Sequence, residues 1–381
     1  MKRIKTLLLA LSLNLPVSAL EGGYDYKELL KEGGTFFKDS DNQYIQYAKV
    51  LGRAHWQAAH VAGEGDSENY VQMRRSRIGV ETQFLDHFLF QGNINLDTGG
   101  INNVKQGWYS QMHDVFLTTD LKGLANISYF DALSLTVGRI KINTSEEVRT
   151  SSKKILTVER SAMTDILRPE NTTGFNVIAE KDGVISEIGF YANSKVDEFD
   201  LWTRGGNGSF VYGSISGEVF DGRLTLDMTY STKDMNDVPN GASKTQWGGS
   251  LYFEQSYGKT DVAYSLYLGD NGDLDNTDRS GLFYGAGILA NTALTEKLEL
   301  VGRAYYWASA EDEGVKINSR YSTQDILNRY GNSHGSLYAG LNYYFIGHNS
   351  KIMTGVEWET LNTKNGREDA TTLWSGYRMY F

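Results

Sequence analysis

Basic residues are concentrated in one short segment of an otherwise acidic chain. Between Val148 and Arg160 a single acidic residue, Glu159, is outnumbered by four basic ones: Arg149, Lys153, Lys154 and Arg160. The segment carries a charge of +3, whereas the whole chain carries −10. Arginine binds oxyanions through a bidentate fork and lysine binds them as a point charge. The cluster therefore has the chemistry to attract small anions and partly replace their water.

A second group of charged residues lies in the period-two segment 70–84. Alternation divides the segment into a polar face with Arg75, Arg77, Glu81 and Gln83 and a second face with Ser76, Ile78, Val80, Thr82 and Phe84. Successive side chains of a strand point to opposite faces, so the first set should face water. An alternative for all these charges is that they pair with one another across a wall and bind nothing.

The acidic segment 270–278 contains enough oxygen atoms to bind a divalent cation. It lacks the EF-hand spacing and the terminal glutamate, so a solvated acidic loop is favoured over a metal site with Asp273, Asp275 and Asp278. The chain has no cysteine, and no HExxH, GxSxG or GxxxxGK[ST] pattern occurs. The sequence therefore predicts no cofactor, no metal and no enzymatic activity.

The composition excludes several classes of protein. With 381 residues, 40% hydrophobic and 12% aromatic, the chain is too apolar for disorder. Its mean hydropathy of −0.41 argues against a bundle of membrane helices. The net negative charge makes nucleic acid an improbable partner, because such interfaces need clustered lysine and arginine.

The N-terminus has the pattern of a secretory signal peptide. Lys2, Arg3 and Lys5 precede an apolar stretch, and the small residues before Leu20 predict cleavage after Ala19; a buried N-terminal helix is the alternative. Without the three basic residues, 34 basic residues face 47 acidic ones, a net charge of −13. Export without cysteine is typical of the bacterial envelope.

From residue 43 onward the chain alternates with a period of two. In 222–232, Leu224, Leu226, Met228 and Tyr230 share one face and polar residues occupy the other. We place sixteen strands at 43–59, 70–84, 87–97, 112–120, 132–141, 173–181, 184–192, 208–219, 222–232, 245–256, 260–269, 280–291, 298–308, 334–346, 351–361 and 370–381. A soluble sandwich and a transmembrane barrel both have such strands.

Connection lengths distinguish the two architectures. Short turns alternate with long polar loops at 60–69, 98–111, 142–172, 193–207, 233–244, 270–279, 309–333 and 362–369. The connection 121–131 falls where a short turn is expected but is longer than the other short turns, which suggests that the fifth strand begins before 132. An outer-membrane barrel typically has an even number of strands, with short turns at one end of the barrel and long loops at the other. We therefore expect an all-β fold: a 16-stranded antiparallel transmembrane β-barrel over 43–381, preceded by a signal peptide at 1–19 and a short periplasmic segment, helix or turn, at 20–42.

The C-terminus supports the same interpretation. Leu373, Tyr377, Met379 and Phe381 share one face and end in an aromatic residue. Similar endings close many outer-membrane barrels, so we expect the barrel assembly machinery to bind the protein through Phe381. Sixteen strands enclose an aqueous lumen and not a packed core.

Several motifs resemble the phosphate-selective porin O and P family. They are the stretches 74–81 (RRSRIGVE) and 135–141 (LTVGRIK), the pair Glu146-Glu147, the triplet 150–152 (TSS) and 159–161 (ERS). The resemblance implies a homotrimer of sixteen-stranded barrels in which the loop after the fifth strand, here 142–172, folds into the lumen as a constriction loop. The residues expected to contact anions there are Arg75, Arg77, Lys141, Arg149, Lys153, Lys154 and Arg160.

The sequence thus predicts a porin in the outer membrane of a Gram-negative-type bacterium, surrounded by outer-membrane lipid. It would pass small ions and hydrophilic solutes, with anions such as phosphate among the candidates. Ion preference stays open, because alternation reveals no long arginine ladder and acidic loops such as 64–68 would repel phosphate. The alternative is an outer-membrane barrel enzyme or adhesin without channel function.

Overall fold

The computed structural model describes residues 30, 32, 34–102, 109–195, 207–238, 241–272, 280–318 and 320–381. The predicted signal peptide and the weak metal candidates Asp273, Asp275 and Asp278 lie outside these residues. Within the described part of the chain, no group of acidic or histidine side chains has a geometry suited to a metal ion.

Nineteen strands are described, and sixteen of them are long. Their bounds are β1 Thr35–Lys38, β2 Ile45–Gly63, β3 Ser67–Phe84, β4 Phe88–Asn95, β5 Gln111–Asp120, β6 Ala132–Ile140, β7 Thr172–Lys181, β8 Val184–Ala192, β9 Ser209–Val219, β10 Gly222–Ser231, β11 Trp247–Tyr257, β12 Thr260–Asp270, β13 Leu282–Ala293, β14 Leu298–Ser309, β15 Val315–Lys316, β16 Tyr330–Gly331, β17 Ser333–Ile346, β18 Ser350–Thr363 and β19 Gly366–Tyr380. The sixteen long strands coincide in order with the sixteen predicted ones.

These long strands form one closed antiparallel barrel. Each pairs with the next along the chain, and β19 closes the ring by pairing with β2. The predicted fold is therefore confirmed. The short β1 pairs with the start of β2, where Lys38 lies opposite Tyr47. Part of the segment 20–42 is thus a strand, which was not predicted, whereas Leu30 and Glu32 before it are helical. The two-residue strands β15 and β16 pair only with each other.

Burial along the strands is inverted relative to a soluble protein. On β10, Leu226 and Met228 are 40% and 49% exposed. Their neighbours along the strand, Thr225 and Asp227, are only 2% and 0% exposed. An apolar outside and a polar inside are what lipid around a barrel requires. The predicted faces of 222–232 are therefore correct, with the apolar face outward.

Two of the short connections are two-residue hairpins, and the connection between β3 and β4 is a hairpin of three residues, 85–87. Leu85 and Asp86, Asp182 and Gly183, and Phe220 and Asp221 all have positive φ values between 49° and 79°. Positive φ at both central residues defines the tight turn whose twist matches that of the flanking strands. We call this end of the barrel the turn end, and the opposite end the loop end.

Three predicted connections differ from expectation. The predicted long loops 60–69 and 362–369 are tight hairpins, because β2, β3, β18 and β19 extend further than the alternation indicated. The connection 121–131 contains a helix, Leu121–Ala125, whose N-terminus is capped by the Asp120 side chain, so β6 does not begin early. The other short helices are Glu146–Arg149, Ala162–Leu167, Ser322–Asp325 and a 3₁₀ turn, Met235–Asp237. No helix in the described ranges is long and apolar enough to span a membrane.

Candidate functional site: a basic cavity beside an inward-folded loop

The long connection between β6 and β7 crosses the inside of the barrel. The backbone oxygen of Ile155 accepts a 2.6 Å hydrogen bond from Lys351 on β18. The Arg149 side chain, a few residues earlier, donates to Tyr252 on β11 at 2.7 Å and to Asp227 on β10 at 2.7 Å. Lys351 and Asp227 are completely buried and belong to strands far apart around the ring. One loop can reach both only from inside the lumen.

A buried ion triad anchors this loop. Arg303 on β14 donates to Glu147 of the loop at 2.7 Å and to Glu357 on β18 at 2.7 Å. The other Glu147 oxygen accepts hydrogen bonds from Ser161 Oγ at 2.5 Å and Thr164 Oγ1 at 2.8 Å. Although burial acts to raise the pKa of Glu147, Arg303 and Ser161 hold it below its usual value. One carboxylate therefore ties both ends of the loop segment to the wall.

A second loop, between β14 and β17, also folds inward. The Tyr321 ring stacks on Tyr70 of β3 with a 4.9 Å centroid separation. The neighbouring Arg320 donates to the Glu159 carboxylate of the first loop at 3.2 Å, and Ser322 donates to Glu359 on β18 at 2.8 Å. The two loops together fill the lumen on the β17–β19 side. This second inward segment was not predicted from the sequence.

A β-bulge brings an additional arginine into the lumen. His55 pairs with Arg75, but the next residue of β2, Trp56, pairs with Met73, so Arg74 is an extra residue on β3. Arg74 and Arg75 consequently both face inward, and Arg74 donates to Glu159 at 2.6 Å. Strict alternation would have placed Arg74 on the outer face.

The space left between the loop and the wall of β2–β6 is a cavity of about 500 Å³. We call it the basic cavity. Nine basic residues line it: Arg53, Arg74, Arg75, Arg77, Arg139, Lys141, Arg160, Arg168 and Lys195. Three acidic residues line it as well: Asp97, Asp114 and Glu170. The excess of positive charge makes this the electrostatically distinctive part of the lumen.

Strand register brings some of these arginines together and places two further basic side chains, Arg378 and His55, beside them. Arg378, His55 and Arg75 lie side by side on β19, β2 and β3, and Arg53 lies opposite Arg77. Burial is strong here, since His55 and Arg378 are fully buried and Arg75 is 7% exposed. Nitrogen atoms of all three side chains have no hydrogen-bond partner within the described chain. Unsatisfied buried donors are rare in folded proteins and indicate room for an anion or water.

Four of the seven predicted anion-contacting residues line the basic cavity: Arg75, Arg77, Lys141 and Arg160. Lys141 donates to the backbone oxygen of Val148, and Arg160 donates to that of Glu147 at 2.6 Å. Both side chains therefore also brace the loop. Whether they contact anions stays a prediction.

The other three predicted residues do not line this cavity. Arg149 is held on the β9–β11 wall by its 2.7 Å ion pair with Asp227. Lys153 lies over the Tyr380 ring, 4.8 Å from its centroid, and Lys154 is exposed. Sequence reasoning missed five basic lining residues: Arg53, Arg74, Arg139, Arg168 and Lys195. They are scattered along the chain, and only the strand register and the path of the loop bring them together.

The comparisons with solved structures agree with this architecture. The anion-selective porin from Comamonas acidovorans matches with a TM-score of 0.57 at 10% identity, covering 88% of this chain and 99% of that chain. Pseudomonas putida OprB matches with a TM-score of 0.58 at 10% identity, covering 88% and 94%. The trimer form of Vibrio cholerae OmpT, described as an outer membrane protein, has a TM-score of 0.51 at 11% identity, covering 88% and 99%. No curated protein matches at a significant level.

A closed sixteen-stranded barrel with an apolar outside and a polar, partly filled lumen is the architecture of an outer-membrane porin, and this protein is a channel of that class. The amino-acid sequence relates the chain to a more specific family of porins. The family model of the phosphate-selective porin O and P matches residues 49–225, which confirms the resemblance seen in the motifs. The outer membrane is accordingly its location.

The anchoring role of Arg303 can be tested by substitution. Arg303→Met leaves Glu147 and Glu357 buried without their partner, and breaking such a buried pair costs about 3–5 kcal/mol. We expect the loop to detach, so that single-channel conductance increases, current noise rises and the thermal unfolding temperature falls. The matched control is Arg367→Gln, which breaks the exposed 3.0 Å pair with Asp369 and should change stability by at most about 1 kcal/mol. Unaltered conductance and noise in a folded Arg303→Met barrel would contradict this role.

Proposed function

We propose that this porin conducts anions in preference to cations, with oxyanions such as phosphate among its solutes, and that they pass through the basic cavity. The observation that carries the proposal is the lining of that cavity by nine basic and three acidic residues. A charged cleft with low-dielectric walls raises the local concentration of ions of opposite sign. Cations would be depleted at the same point.

The donor geometry suits partial dehydration of an anion. Arg75 offers an unpartnered Nη1 atom, and Arg53 an unpartnered Nε atom, in the described structure. Such N–H groups can replace water molecules of an entering anion, and a guanidinium can bind two of its oxygens at once. Because several arginines follow one another along the wall, an anion can move from one to the next without leaving the donors. That arrangement favours passage over tight retention.

The acidic residues at the loop end oppose this preference only weakly. Glu64 and Glu68 are exposed, and Glu313 is paired with Lys364 at 2.6 Å. Exposed charges are screened by salt over about 8–10 Å, whereas charges inside the lumen are screened much less. The charges in the basic cavity should therefore influence ion selectivity more strongly than the acidic residues at the loop end.

We propose passive diffusion without a catalytic step. A barrel enzyme would need a nucleophile and base, or a metal, meeting on the wall. The charged clusters described above are instead arginine–carboxylate pairs that hold loops. Planar-bilayer recording separates the alternatives: a correctly folded protein that conducts no ions would support the enzyme or adhesin interpretation and contradict the porin one.

We further propose that three copies assemble as a homotrimer. The family resemblance implies this state, and the Vibrio cholerae OmpT neighbour is described as a trimer form. The outer face also has a continuous apolar surface, including Leu266 and Leu337 at 58% and 54% exposure, against which lipid or a second copy can pack. Light scattering on detergent-extracted protein should give a protein mass of three chains, and a single-chain mass would contradict the assembly.

Neutralising two arginines of the basic cavity should reduce anion preference. In Arg75→Gln/Arg77→Gln we expect the anion-to-cation permeability ratio, obtained from reversal potentials in a KCl gradient, to fall by about threefold or more, because the cavity loses two of its lining cations. The control Lys259→Gln/Lys297→Gln removes the same charge from exposed turns outside the cavity and should leave the ratio unchanged. An equal ratio in wild type and the arginine variant would refute the pathway.

Anion preference should also weaken as pH rises through about 8. Burial, with a further contribution from nearby Arg53, lowers the pKa of Lys153 to about 8. A lysine is charged below its pKa and neutral above it, so the lumen loses one positive charge between pH 7 and pH 9. We expect the permeability ratio to fall over this range in wild type and to change much less in Lys153→Arg, whose guanidinium stays charged. Parallel pH profiles for the two proteins would contradict this assignment.

A further inference from the structure

A second cavity, of about 840 Å³, lies on the opposite wall of the lumen. It is formed by β9–β13 near the turn end and is covered by residues of the inward loop, including Thr150 and Leu156. We call it the acidic cavity, because five carboxylates and one basic residue line it: Glu146, Glu218, Asp221, Glu254, Asp261 and Arg223. The proposed anion pathway does not use it.

One of these carboxylates is poised for a ligand. Glu146 is only 7% exposed, yet it lines the cavity. Its Oε1 atom accepts a 2.8 Å hydrogen bond from Tyr267, whereas its Oε2 atom has no hydrogen-bond partner within the described chain. Burial, with a further contribution from the neighbouring Glu147, raises the pKa of Glu146 to about 7, and a cationic donor from outside would stabilise its charged form.

Two of the carboxylates, Glu218 and Glu254, are too far apart to hold a single compact ion. In the strand register Glu218 lies opposite Arg223, which in turn lies opposite Glu254. Glu218 and Glu254 are thus two strands apart, a separation of about 10 Å. Divalent cations bind oxygen atoms at about 2.0–2.6 Å, so these residues cannot share one. No metal-binding group occurs among the described residues.

The opposing charge within the cavity is small. Arg223 lies 3.7 Å from Glu218, and their side chains are 38% and 82% exposed respectively. Asp261 accepts a hydrogen bond from Ser256 at 2.6 Å, and Glu254 forms no salt bridge in the described part of the chain. Apolar side chains such as Leu156 and Leu289 form the intervening wall. The cavity therefore alternates separated negative charges with apolar surface.

From this arrangement we propose that the acidic cavity binds an extended polyamine, whose ammonium groups are separated by short alkyl chains. Each ammonium group donates to one carboxylate, and the alkyl segments contact the apolar wall. A polyamine bound under the inward loop narrows the turn end of the lumen, which ions from the basic cavity must also cross, and so reduces ion flow. This site lies in the same lumen as the proposed anion pathway but does not depend on its selectivity.

Spermidine block of single channels in planar bilayers tests the proposal. We expect spermidine, added at millimolar concentration to the side of the turn end, to reduce the current in a voltage-dependent manner, and to act less from the loop end. Mg²⁺ at equal ionic strength should block much less. In Glu254→Gln/Asp261→Asn the half-blocking concentration should rise about fivefold, the effect expected for two partly exposed ion pairs.

A matched variant separates site binding from general surface charge. Glu64→Gln/Glu68→Gln removes the same charge from the exposed hairpin at the loop end and should leave the block unchanged. Equal effects of the two double variants, equal block by Mg²⁺, or absence of block would overturn the proposal. If the protein conducts no ions at all, the channel pathway fails, and calorimetric titration of the folded, detergent-solubilised protein with spermidine still decides whether the site exists.

Discussion

The pairing of β19 with β2 is the constraint on which the rest of this structure depends. In lipid, every backbone N–H and C=O group needs a partner within the protein, and an open sheet edge would leave a row of them unsatisfied. Closure of the ring removes both edges and forces alternate side chains inward. Charged residues such as Asp227, Lys351 and Arg378 are then completely buried in the assembled lumen. A barrel of this size must therefore supply partners for its own interior charges.

The inward loops supply those partners and thereby divide the lumen. Arg303 is neutralised by Glu147 from one loop as well as by Glu357 of the wall, and Glu159 accepts from both Arg74 and Arg320. These ion pairs neutralise charges on the β14–β19 side of the lumen. An excess of basic residues remains beside β2–β6, and an excess of acidic residues remains beside β9–β13. A chain with a net charge of −10 can thus contain a passage with a strong positive potential.

The strands were predictable because each one is specified locally. Alternation marks the lipid face, and turn residues mark the hairpins at the turn end, so the order of all sixteen strands was correct. The predictions for 60–69 and 362–369 failed because polar residues there extend hairpins at the loop end, where the outer face no longer needs to be apolar. The helix Leu121–Ala125 was missed because five residues carry too little periodicity to be distinguished from a loop.

By itself, the sequence determined the barrel, the inward face of the regularly alternating strands and the segment that would carry basic residues between β6 and β7. Only the tertiary structure decided which charges meet. The inward direction of Arg75 and Arg77 followed from alternation. Arg74 faces inward because of a bulge, and Arg53 lies beside Arg77 because of the strand register. Arg149 instead lies apart, because Asp227 holds it on the far wall. The physical reason is that periodicity defines the direction of a side chain along one strand, whereas distances between strands depend on register, closure and the path of the loops.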